Sequence, residues 1–235
     1  MHTRAVTVLL AVLPSLSLGA PSDLAAQRCR QVALEVRAGW VGPTTDLGRT
    51  AILEGLGFVE FEEPPSTWST GLGIVVDWAE AWSTRLTVDR AAASDVGGQW
   101  FCAPGLACPS VLILVGAELD RWTVGADMLY RPALPNPIAT PEVFIGAGVR
   151  HHRLRWDSPI PEVPIPTEFD ETDMVVRMGL GASRGLGPVA LVGQLQGDLG
   201  GFGSAEERLG EHRVPDGRVL NVDLAAGLGV RIRLR

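Results

Sequence analysis

Six acids (Glu35, Asp77, Asp89, Asp127, Asp198 and Asp223) and six arginines (Arg37, Arg85, Arg150, Arg177, Arg231 and Arg233) fall at positions of one parity within runs of alternating apolar and polar residues. On an extended chain, side chains two apart point the same way, so each run presents its charges on one face. The chemistry of such a set is ion pairing. Taking a carboxylate or guanidinium out of water costs several kcal/mol unless it is paired, and equal numbers of each sign describe a network that satisfies itself. Two uses are open to it: a gate whose pairs exchange to open a narrow path, or a packed, water-bridged plug. A three-residue turn at Ala79 to Ala81 places Trp78 opposite Trp82 and sets Asp77 diagonal to Arg85. Closure of the first run against the last brings Glu35 near Arg231.

The remaining candidates for chemistry are weaker. His151 and His152 are adjacent, so on a strand they point to opposite faces and cannot serve one metal or one catalytic site. A hydrolytic triad needs a serine and an acid grouped with a histidine, and the neighbours here are Arg150, Arg153 and Leu154. They read as rim histidines, and no enzymatic activity is expected. Acids gather at Glu60, Glu62 and Glu63 and again at Glu168, Asp170, Glu171 and Asp173, without the spaced oxygen ligands and turn glycine of a calcium loop. Neither a metal nor another cofactor is expected. All 20 basic residues are arginine against 27 acids, a net charge of -7 that argues against nucleic acid as a partner. In FCAPGLACP, Cys102 and Cys108 are spaced for a small disulfide loop if the chain is exported. Cys29 has no assigned role.

The elements that must position these charges are strands. Eight segments alternate with period two, at about 31 to 41, 67 to 78, 82 to 91, 118 to 131, 142 to 153, 172 to 183, 188 to 199 and 219 to 234, separated by Gly, Pro, Asn and Asp clusters. Their second face is apolar, with Val32, Leu34, Val36, Ala38 and Trp40 in the first segment and Leu220 through Leu234 at even positions in the last, none of them charged. The charged face is also rich in glycine, including Gly71, Gly73, Gly125, Gly146 and Gly148. Glycine relieves crowding inside a narrow barrel and weakens a solvent-facing strand for no gain. The aromatics Trp40, Trp68, Trp78, Trp82, Trp122 and Tyr130 sit at the ends of the apolar face. The steps from Trp122 to Tyr130 and from Trp68 to Trp78 rise roughly 19 and 23 Å at a 45° tilt, close to the apolar band of a membrane barrel. Long connections follow the odd segments and shorter ones the even segments, so the two kinds fall on opposite rims.

The stretches ALEVRAGWVGPTTDLG, PEVFIGAGVRHHRLRW and LNVDLAAGLGVRIRLR resemble the first, fifth and last strands of the bacterial outer-membrane β-barrel domain family, the small eight-stranded barrels of cell envelopes. The chain differs from that pattern in ending Arg233-Leu234-Arg235 where such chains usually end in an aromatic. The resemblance implies an all-β fold: an eight-stranded, antiparallel, up-and-down transmembrane β-barrel in the bacterial outer membrane. Residues 1–26 have the layout of a secretory signal peptide, with Arg4, the run AVTVLLAVL and small residues up to Ala26, which leaves 27–235 as the barrel domain. The expected protein is a monomeric, non-enzymatic envelope component in contact with outer-membrane lipid, structural or binding an extracellular ligand or protein through its long loops. Because eight strands leave an interior that side chains can fill, a plug is expected ahead of a narrow gated porin-like channel. The reverse topology, a soluble periplasmic lipid carrier with the apolar face inward, is the other alternative.

Overall fold

The computed structural model describes residues 31–43, 48–53, 57–61, 65–102, 113–134, 138–157, 168–200 and 221–234. The expected signal peptide and the Cys102–Cys108 disulfide fall wholly or partly outside them.

Ten strands are described: β1 (Gln31–Pro43), β2 (Gly48–Leu53), β3 (Gly57–Phe61), β4 (Thr67–Asp77), β5 (Trp82–Cys102), β6 (Ile113–Tyr130), β7 (Thr140–Trp156), β8 (Glu168–Leu186), β9 (Val189–Gly200) and β10 (Asn221–Leu234). Eight of them close a barrel: β1 pairs with β4 and β10, β5 with β4 and β6, and β6 to β10 each with the next, all antiparallel. The short connections lie at one rim. Trp78 pairs with Trp82 across the first of them, their rings stacked at 6.2 Å. The β8–β9 turn needs only Gly187 and Pro188. Gly187 has φ +73°, a conformation that glycine adopts at no steric cost and that the first central position of a type II′ hairpin requires.

The strands differ in height. β5 to β8 run 21, 18, 17 and 19 residues, well beyond the roughly 9–11 that cross a bilayer, while β4 and β9 run 11 and 12. Segments read in the sequence as long loops are therefore partly continuous sheet. β5 continues past Ala91 to Cys102 and β6 begins at Ile113, their pairing interrupted by a bulge between Ala93 and Val96 where Asp95 takes φ 61°. The β2–β3 hairpin, which the sequence reading left as loop, joins this extension through β3 and β5.

Burial alternates along β1 as the parity requires, with Ala33, Glu35, Arg37 and Gly39 buried and Leu34, Val36, Ala38 and Trp40 exposed. The same holds around the wall: Leu72, Leu86, Val124, Ile145, Met178, Leu195 and Leu228 face outward. The apolar face is outside, so a soluble carrier with that face lining a pocket is excluded by the geometry.

Candidate functional site

The barrel interior is the site the charges define. β1 and β10 set Glu35 directly opposite Arg231, and the two groups meet at 2.7 Å. β5 and β6 do the same for Arg85 and Asp127, at 2.8–2.9 Å. Arg231 also holds Glu142 through two bonds of 2.7 and 3.0 Å, and Arg131 links Glu142 at 3.1 Å to Asp77 at 2.8 Å. Arg37 and Arg177 share Asp89, at 2.7 and 3.1 Å. Arg177 lies 3.7 Å from both Asp127 and Asp198 and donates to the Thr87 hydroxyl at 2.5 Å. Acid and arginine therefore alternate without a break from Asp77 at the turn rim to Asp198 in the upper half. A second group lies above: Asp223 accepts from Arg121 at 2.8 Å and from Arg150, and His152 stands 3.3 Å from Asp173.

Most of these side chains are fully buried; Arg85, Arg150, Arg177, Glu35 and Asp127 are each no more than 1% exposed. Glycines make the room. A Cβ on Gly125 would strike the Arg177 guanidinium, and one on Gly71 the Asp89 carboxylate. Arg85 adds a cation–π contact 4.5 Å above the ring of Phe144. Toward the loop end the inward side chains turn apolar, and Val41, Ala91, Ala93, Val96, Leu119, Leu154 and Trp156 are buried there. Beside the network, a half-open cavity of about 50 Å³ lined by residues including Asp89, Arg121, Thr123, Gln194, Gln196, Asp198 and Asp223 has space for a few waters.

Eleven of the twelve residues read from the sequence point into this interior or onto its rim contacts. Arg233 does not join them: it has the inward parity, but it lies one residue from the end of β10 at the turn rim, where its side chain is exposed to solvent. The register sets Asp77 opposite Ser83 and so diagonal to Arg85, as expected, but each takes another partner. Asp77 sits at the rim, where Ser83 and Arg131 reach it at 2.5 and 2.8 Å, while Arg85 lies deeper between Asp127 and Glu35. The sequence reading missed Glu142, Arg131, Arg121, Asp173 and the amides of Gln194 and Gln196. His152, read as a rim residue, is buried inside; His151 faces outward, 3.1 Å from the Thr172 hydroxyl.

The outer wall carries all six expected aromatics, each 38–74% exposed. Trp40, Trp68 and Trp122 stand toward the loop end; Trp78, Trp82 and Tyr130 stand at the turn end, the last two 4.8 Å apart. Arg90 lies over Trp122 at 5.2 Å and pairs with Asp120 at 2.9 Å. Among the described residues no group of three or more His, Cys, Asp or Glu side chains is placed to hold a metal ion.

A closed eight-stranded antiparallel barrel is the fold of the small β-barrels of bacterial outer membranes. A major outer membrane protein from Thermus thermophilus shares it, with TM-score 0.54 and 15% identity over 87% of this chain and 99% of that one. So does Ail, the attachment invasion locus protein of Yersinia pestis, solved in complex with the heparin analogue sucrose octasulfate, with TM-score 0.50 and 8% identity over the same shares. No protein-family model matches the sequence, and no curated protein matches it.

Proposed function

We propose that the chain is a non-enzymatic outer-membrane protein whose barrel is a closed, rigid plug supporting a surface-binding region above the lipid. The observation that carries the reading is the pairing of interior charge through the height of the barrel, from Asp77 to Asp198. A water-filled pore would leave such charges to the solvent, and a narrow gate would need a path that the packed arginines occupy. Above the lipid, the extended β5–β8 sheet and its own buried apolar residues make a folded platform suited to an extracellular ligand or protein. The barrel acts as a monomer with outer-membrane lipid around it.

Two experiments test this. In fractionated cells the protein is expected in outer membranes, as a band whose gel mobility shifts on boiling, because a closed barrel has no open edge and stays folded in cold detergent. In planar bilayers it is expected to give no conductance steps; discrete, reproducible steps would replace the plug with the narrow channel.

A further inference from the structure

We propose that Leu134 and Ile138, in the β6–β7 connection, lie in the periplasmic face of the bilayer and insert among the lipids as a one-sided anchor. The inference rests on the membrane-spanning reading above. Reversal of a strand at this rim takes two residues, as Gly187 and Pro188 demonstrate, so the longer connection is more than the topology needs. Its sequence, RPALPNPIA, has only Arg131 and Asn136 as polar side chains, and Arg131 turns back to Asp77 and Glu142 on the barrel side. Leu134 is 53% and Ile138 86% exposed, apolar surface that water alone would not favour in a turn.

Two features identify lipid as the occupant. The connection is continuous with the lipid-facing wall: the Arg131 N–H donates to the Ala81 carbonyl at 2.8 Å, which ties it to the turn carrying Trp82, and Trp78, Trp82 and Tyr130 cluster beside it. Such aromatic clusters mark the bilayer interface. Pro132, Pro135 and Pro137 also remove three backbone N–H donors from this stretch. Irregular backbone is excluded from lipid chiefly by its unpaired polar groups, so fewer donors lower the cost of lying at an apolar boundary.

The test uses the full chain with its native cysteines changed to serine, reconstituted in phosphatidylcholine vesicles. Single cysteines at Leu134, Ile138, Glu80 and Leu228 carry an environment-sensitive fluorophore, and quenching by nitroxide-bearing lipid is recorded. Blue-shifted, lipid-quenched emission at Leu134 and Ile138, with water-like emission at Glu80 in the neighbouring turn, is the expected result. Water-like emission at Leu134 and Ile138, or a blue shift that lipid nitroxide does not quench, overturns the anchor. Leu228 on the mid-wall separates the two readings: quenching there with none at Ile138 defeats the anchor alone, and no quenching at Leu228 defeats the membrane-spanning reading and the anchor with it.

Discussion

Arg177→Met is the substitution that weighs the interior network most directly. Arg177 is fully buried and serves three acids, Asp89, Asp127 and Asp198, besides the Thr87 hydroxyl and the Gln196 amide oxygen at 3.2 Å. Methionine keeps much of the stem and removes the charge. Asp127 retains Arg85 and Asp89 retains Arg37, whereas Asp198 is left with the Gln196 amide at 2.8 Å and, among the described residues, with no arginine at ion-pair distance. Removing one partner of a buried pair costs about 3–5 kcal/mol. Because two of the three acids keep another arginine, the expected loss is at the lower end, about 3 kcal/mol, or roughly a hundredfold in the folded-to-unfolded ratio. Adding Asp198→Asn should return about 1–2 kcal/mol by removing the acid left behind. Urea titration of the protein folded in detergent micelles, with the folded fraction read from the boiling-sensitive gel band, measures both. A loss below about 1 kcal/mol for Arg177→Met would refute the reasoning, since only a hydrated lumen could solvate Asp198 that cheaply.

Gly125→Val drives two methyl groups and a Cβ into the Arg177 guanidinium and should cost about 1–3 kcal/mol in the same titration, as overpacking does. Leu228→Arg, at the middle of the outward face of β10 and 75% exposed, should cost about 2–4 kcal/mol in a bilayer. It should cost far less in a detergent-free soluble protein, so recovery of the variant in the aqueous fraction with unchanged stability would contradict the lipid-facing wall.

What the sequence made legible was the part governed by strict alternation. Parity sorted Glu35, Arg37, Asp127 and Arg177 onto one face and Leu34, Leu86 and Leu228 onto the other, because a one-residue slip would exchange the two faces entirely, and the glycines and terminal aromatics told which face is inside. The losses came where strands end. Arg131 and Glu142 stand at the very ends of the runs read at 118 to 131 and 142 to 153, with the inward parity but beside the proline-rich connection; Arg233 keeps the right parity but emerges at the rim. Arg121, His152 and Asp173 had the inward parity within runs already recognised, and that signal could have found them. Partner choice was legible only for strands known to be neighbours, as with Glu35 and Arg231. Arg231 with Glu142 and Arg37 with Gln194 meet across the lumen between strands that do not pair, a consequence of barrel closure and stagger that no linear pattern encodes. The β2–β3 hairpin and the upper halves of β5 and β6 escaped notice because alternation there is broken by a bulge and by short, mixed runs.

The sequence separation of the interior partners bears on assembly. Glu35 and Arg231 are 196 positions apart, Arg85 and Gln194 are 109, and Arg231 and Glu142 are 89. Glu35 and Arg231 cannot meet until β1 reaches β10, so the charges of that seam must remain hydrated even where neighbours such as Arg85 and Asp127 have already paired. A half-built sheet could not present that face to hydrocarbon. Insertion and closure of this chain are therefore coupled, the inner face staying wet until the last seam zips. Dehydration of the lumen becomes a late, cooperative event, slow to arrive because it waits on the longest loop closure in the molecule.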